Sequence, residues 1–254
     1  MRNPDYGAEN NSKFKERNVT KLKTAMLATV AVAVTAFSSA PAFAEEGFLG
    51  GEISANVAML NDYRFRGVSL NDENFALQGG FDYAHDSGFY VGTWASNISE
   101  FGGAEIEQDI YAGYGGQIDS ISYNIGLLLY HYPGGENVDY LELYGSAGVD
   151  LGVASASLGA AYAFSSENTG NTDNIYVYAD VESAIPDTPL IISAHIGYED
   201  GFDYAGIGDT TKLDWSLGAS VNYGGLDFGL KYVDTNNAGD LSDATVVFSV
   251  GAYF

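Results

Sequence analysis

The sequence predicts an all-β fold, an antiparallel transmembrane β-barrel of about twelve strands that follows a cleaved N-terminal signal peptide. Three observations predict it. The first 44 residues read as an export leader, the rest of the chain repeats a period-two alternation of apolar and polar residues, and the connections between repeats are alternately short and long.

In the leader, Lys13, Lys15, Arg17, Lys21 and Lys23 precede an apolar run over residues 25–37, and Ala42-Phe43-Ala44 supplies an A-x-A cleavage pattern. The run is too short for a spanning helix, which needs about 20 apolar residues. Cleavage between Ala44 and Glu45 divides the chain into a signal peptide, 1–44, and one domain, 45–254. That domain keeps four basic residues, Arg64, Arg66, Lys212 and Lys231, against 31 acids.

The clearest alternation is Leu213, Trp215, Leu217, Ala219, Val221 and Tyr223 on one face and Lys212, Asp214, Ser216, Gly218, Ser220 and Asn222 on the other. A helix could not sort these residues so cleanly. Similar segments fall at about 52–68, 74–84, 89–98, 106–115, 121–132, 138–149, 153–164, 175–183, 190–198, 212–223, 226–234 and 243–254. Connections beginning at His85, Gly116, Asp150, Ala184 and Gly224 are short. Those around 69–73, 99–105, 133–137, 165–174, 199–211 and 235–242 are mostly longer and rich in Asn, Asp, Glu, Gly and Ser. Even strand number with short turns at one end and longer loops at the other is the pattern of a bacterial outer-membrane barrel. A soluble β-sandwich also alternates, but its solvent faces usually carry charges of both signs. Here the polar faces are small and hydroxylic, while the apolar faces carry aromatic residues to the strand ends, as lipid contact requires.

The final strand ends in Phe248-Ser249-Val250-Gly251-Ala252-Tyr253-Phe254, and a terminal Phe254 is expected to engage the barrel-assembly machinery. The stretches Ser54-Ala55-Asn56-Val57, Asp62-Tyr63-Arg64-Phe65-Arg66-Gly67-Val68-Ser69, the segment from Ala76 to His85, Gly88-Phe89-Tyr90-Val91-Gly92-Thr93-Trp94-Ala95-Ser96-Asn97 and Tyr111-Ala112-Gly113-Tyr114 resemble the TorF-type porin family of proteobacterial outer membranes. The likeness thins after about Tyr144. It implies a fold and a location in the outer membrane of a Gram-negative bacterium, among lipid and lipopolysaccharide, more than a defined substrate.

Composition removes several functions. A net charge of -24 repels polyphosphate, so nucleic acid is not an expected partner. Without cysteine there is no thiolate metal site or cysteine nucleophile. Of the histidines after the leader, His85, His131 and His195, only His195 shares a polar face with Ser193 and Glu199, and no G-x-S-x-G elbow accompanies it; a barrel hydrolase is therefore the weakest reading. Glu105, Glu107 and Asp109 on one strand face, and Asp200, Asp203 and Asp209 in one loop, lack calcium-loop spacing. Neither a metal nor another cofactor is expected.

The remaining candidates line the lumen. Arg64 and Arg66, two apart on the first segment, are expected to point together into the outer half of the interior. Strands descending from the loops would bring Glu107, Asp109, Glu142, Lys212 and Asp214 to the same height, forming a belt of opposed charges. Such a belt is either a pore constriction with a transverse field or salt-bridge glue that closes the lumen. With Asp62, Asp180, Glu182 and Lys231 added, acids exceed bases among the assigned pore-lining residues. Small inward residues such as Ser155, Ser157, Ser216 and Ser220 leave room for water. The expected function is a porin that passes small solutes or ions, mildly cation-selective; the alternative is a non-conducting barrel that presents acidic loops to lipopolysaccharide.

Overall fold

The computed structural model describes residues 49–201 and 210–254. The expected leader, its cleavage site at Ala44 and Glu45, and the loop acids Asp203 and Asp209 lie outside the described residues. Twelve antiparallel strands form a closed barrel: β1 (Gly51–Leu60), β4 (Ala76–His85), β5 (Phe89–Phe101), β6 (Ala104–Ile118), β7 (Ile121–His131), β8 (Tyr140–Asp150), β9 (Ala154–Ala163), β10 (Asn174–Ala184), β11 (Leu190–Asp200), β12 (Thr211–Tyr223), β13 (Leu226–Thr235) and β14 (Thr245–Tyr253). Each strand pairs with its sequence neighbours in the barrel. Closure comes from β1, which pairs with β4 on one side and with β14 on the other. Two further short strands, β2 (Arg64–Phe65) and β3 (Val68–Ser69), form a separate hairpin.

The alternation read from the sequence sets the two faces. Leu158, Phe81 and Leu217 are 68, 65 and 61 % exposed on the outside, while the polar partners face inward. A single closed sheet has no second layer to cover that exterior, so the apolar band is a surface for lipid. Phe89, Tyr223 and Phe254 at one end, and Phe75, Phe101 and Phe164 at the other, are likewise exposed, as an interfacial aromatic girdle requires.

Short turns share one end with the start of β1 and the end of β14, here the turn end. The opposite, loop end gathers Asp72, Glu73, Glu100, Glu136, Glu167, Asp173, Asp200 and Asp240, as expected from the alternating connections. Two expectations are corrected. The connection expected at 99–105 is a tight hairpin, because β5 and β6 run on to Gly102-Gly103, both with positive φ (59 and 97), the geometry that matches strand twist. The strand expected over 52–68 stops at Leu60, and the chain then leaves the wall. Asn61 makes that departure tolerable: its side-chain Oδ1 accepts the Phe248 N–H (2.6 Å) and its Nδ2 donates to the Val246 carbonyl (3.3 Å), so an amide side chain continues the ladder of β14.

Candidate functional site

Between β1 and β4 the chain folds into the lumen as the β2–β3 hairpin. Arg64 pairs with Ser69 and Phe65 with Val68, leaving Arg66-Gly67 as the two-residue turn, with φ of 47 and 88. Positive φ at both positions is the type I′ pattern. Gly67 is needed twice over, since a Cβ there would also collide with Thr235. The base of the hairpin is tied by its own polar side chains. Asn71 accepts from the Tyr63 N–H (2.9 Å), Ser69 Oγ donates to Asp62 (2.7 Å), and Leu70 N–H donates to the Tyr63 carbonyl (2.9 Å).

Asp62, Arg64 and Arg66 therefore lie on no strand of the barrel wall, contrary to the sequence expectation, and the two arginines diverge. Arg64 turns back to the loop end, where it pairs with Asp62 (2.5 Å) and Glu73 (2.8 Å) and donates to the carbonyls of Leu241 (2.8 Å) and Asp243 (3.1 Å). Arg66, at the hairpin tip, crosses the lumen. Its guanidinium pairs with Glu142 on β8 (2.6 Å) and Glu199 on β11 (2.5 Å) and lies 4.1 Å from the centre of the Tyr176 ring.

Buried charges from several strands meet across the lumen, and the hairpin tip joins them. Glu107 accepts from the hydroxyls of Tyr63 (2.6 Å) and Tyr132 (2.9 Å), and Glu142 also accepts from Tyr130 (3.0 Å). Glu199 joins Arg66 to Lys212 (2.8 Å) and accepts from Asn174 (2.6 Å). Burial pushes the Tyr63 hydroxyl well above its usual range, and the Glu107 charge adds to the effect, so the phenol stays a donor. Asp109 and Asp214 are buried in the same layer, as are Leu60, Gln78, Ser96, Leu128, Ala161, Val233 and Val247 from the other strands. In this layer, the septum, side chains of the wall and of the hairpin are buried against one another.

Glu199 lies one residue past the expected end of the eleventh strand at 198, because β11 runs to Asp200. Its parity with His195 and Ser193 was the available signal. Asp180, Glu182 and Lys231 lie nearer the turn end, half-buried, with Lys231 in electrostatic reach of both acids. His195 is held by Asp180 (2.7 Å), Asp214 (3.2 Å) and the Tyr176 hydroxyl (2.8 Å). Of the acids considered for metal binding, Glu105 is exposed while Glu107 and Asp109 are buried.

Below the septum, tyrosines lie flat on the wall. Tyr90 is directly opposite Gly113, Tyr111 opposite Gly92, Tyr144 opposite Gly126 and Tyr178 opposite Gly159, and at each glycine a Cβ would run into the ring. The sequence carried this signal unread as Tyr90-Val91-Gly92 and Tyr111-Ala112-Gly113, in which each tyrosine covers the other motif's glycine. Hydroxyls link the rings: Tyr90 donates to Asn124 (2.6 Å) and meets Tyr144 (2.6 Å), and Tyr111 donates to Asp82 (2.5 Å). Gly159→Ala should lift the Tyr178 ring into the lumen and destabilise the barrel by about 1–3 kcal/mol, as overpacking does. Denaturant unfolding of the refolded protein measures it, and an unaltered midpoint would contradict the packing argument.

A family model described as a bacterial protein of unknown function (Gcw_chp) matches residues 44–252. No curated protein matches the chain by sequence. Among solved structures, the KdgM porin is similar with a TM-score of 0.54 at 10% identity, over 80% of this chain and 97% of that one. The NanC porin is similar with a TM-score of 0.55 at 8% identity, over 78% and 97% of the two chains. At these identities the likeness is one of fold.

Proposed function

Because the chain belongs to the Gcw_chp family, whose description gives no function, we propose from the lumen itself that it is a narrow outer-membrane porin for small solutes or ions. The observation that carries this reading is the polar, charged interior of a twelve-stranded barrel whose exterior is apolar. A barrel of this size gives an intermediate bore, between the filled lumen of about eight strands and the open channel of sixteen or more. Conduction requires the β2–β3 hairpin to move, since its side chains complete the septum. In the full proposal, a signal peptide cleaved between Ala44 and Glu45 directs export, Phe254 is recognised during assembly, and the acidic loop end faces lipopolysaccharide outside the cell. The likeness of the first segments to the TorF-type porins supports the same location.

Selectivity follows from charge. In the septum Glu107, Asp109, Glu142, Glu199 and Asp214 outnumber Arg66 and Lys212, and the loop end, where Arg64 pairs with Asp62 and Glu73, is acidic. A low-dielectric wall focuses that excess, so cations are favoured, mildly because the bases oppose the acids. Single-channel recording in planar bilayers should give conductance steps with a reversal potential of cationic sign across a salt gradient. The ion pairs that hold the hairpin across the lumen favour a second reading, a structural barrel that does not conduct. Persistent absence of steps from folded protein would select it, and anion preference would mean the lumen charge has been misjudged.

A further inference from the structure

Asp109 stands apart from the other acids of the septum. Its side chain is on the inward face of β6, the residue is 0% exposed, and neither carboxylate oxygen has a hydrogen-bond donor among the described residues. Glu107 and Glu142 act on it with like charge. The bases of the septum and of the hairpin pair elsewhere: Arg64 with Asp62 and Glu73, Arg66 with Glu142 and Glu199, and Lys212 with Glu199. A carboxylate taken out of water without a partner carries a penalty of several kcal/mol. A positive charge beside it would remove that penalty.

The surroundings suit a single charge. In register, Asp109 faces Trp94 on β5 and Tyr130 on β7, while Glu107 and Tyr111 flank it on its own strand. The Tyr63 ring of the hairpin packs edge-on against Trp94, 5.5 Å between centres. Tryptophan offers the most favourable ring face to a cation. Asp109 is the carboxylate left without a donor, while both oxygens of Glu107 already accept from Tyr63 and Tyr132, so the uncompensated charge to be met is about one. We propose that Asp109, assisted by Glu107, binds a monovalent inorganic cation inside the septum. The site rests on the channel reading for its role, a resting place for a permeant ion, but not for its existence.

The chain has two tryptophans, so in a Trp215→Phe background the emission reports Trp94 alone. Folded protein in detergent is titrated with potassium or sodium chloride, replaced against N-methylglucamine chloride so that ionic strength and screening stay constant. The expected result is a saturable change in Trp94 emission and a higher unfolding midpoint as cation is added, because a ligand bound only by the folded state stabilises it. Asp109→Asn should abolish both responses and, without the alkali cation, unfold later than its parent. Glu107→Gln should keep the response with severalfold weaker affinity, and it serves as the second variant if Asp109→Asn does not fold. No saturable response in the parent protein, an equal response in Asp109→Asn, or an unchanged affinity in Glu107→Gln would overturn the proposal. So would a response that follows pH at fixed salt and ignores the cation, since Asp109 would then hold a proton. Binding is read at equilibrium without current: a silent bilayer removes the channel and leaves the site, whereas an unresponsive Trp94 in a conducting protein removes the site and leaves the channel.

Discussion

Arg66→Gly is expected to unlatch the hairpin and open the lumen, with larger or more frequent conductance steps and a stronger cation preference. Glycine suits this position because the φ of 47 costs an arginine about 1 kcal/mol or more and costs glycine nothing. The turn can therefore stay while the guanidinium goes, and the result reports the latch rather than a broken loop. Removing one partner of a buried ion pair leaves the other charge uncompensated, typically a loss of about 3–5 kcal/mol. Here Glu142 would keep only its Tyr130 hydrogen bond, and Glu199 would keep Lys212 and Asn174. Relief at the turn offsets part of the loss, so folded protein should survive with a lower unfolding midpoint. Conductance and stability both equal to the parent's would show that the pairs reaching Glu142 and Glu199 hold nothing in place.

The second large effect is expected at Glu199, which bridges the hairpin to the far wall. Glu199→Gln removes the carboxylate that faces both Lys212, a buried lysine, and the Arg66 guanidinium. A buried ammonium without its counter-ion should cost about 3–5 kcal/mol. Lys212→Met in the same chain should recover much of that loss, because replacing both members of a buried pair is far less harmful than removing one. A double-mutant cycle on unfolding free energies measures the coupling. Additive losses would mean that Glu199 and Lys212 are neighbours without being partners.

Much of this molecule is legible in the sequence because strand geometry is local. Successive side chains of a strand point to opposite faces whatever lies around them, so parity alone places Glu107, Asp109, Glu142, Asp180, Glu182, Lys212, Asp214 and Lys231 inward. The same rule gives the strand number and the lipid face, and the alternation of connection lengths gives the loop end. Parity fails where a boundary is misjudged, as at Glu199, one residue past the expected strand end. It is also silent on rotamers, so the tyrosines that lie over glycines of the next strand needed the register of two strands at once.

The hairpin is different in kind. Tyr63, Arg64, Phe65 and Arg66 alternate equally well as the end of a first strand or as the arm of an inserted turn, and local pattern cannot choose between them. Arginine is a poor residue for the first turn position, where a positive φ is strained. What compensates is Glu142, 76 residues away, and Glu199, 133 residues away. Only barrel closure brings those carboxylates to face each other across the lumen. The sequence by itself determined a barrel with a charged interior; the tertiary structure decided which of those charges pair across the lumen, because the partners are neighbours in space and not in the chain.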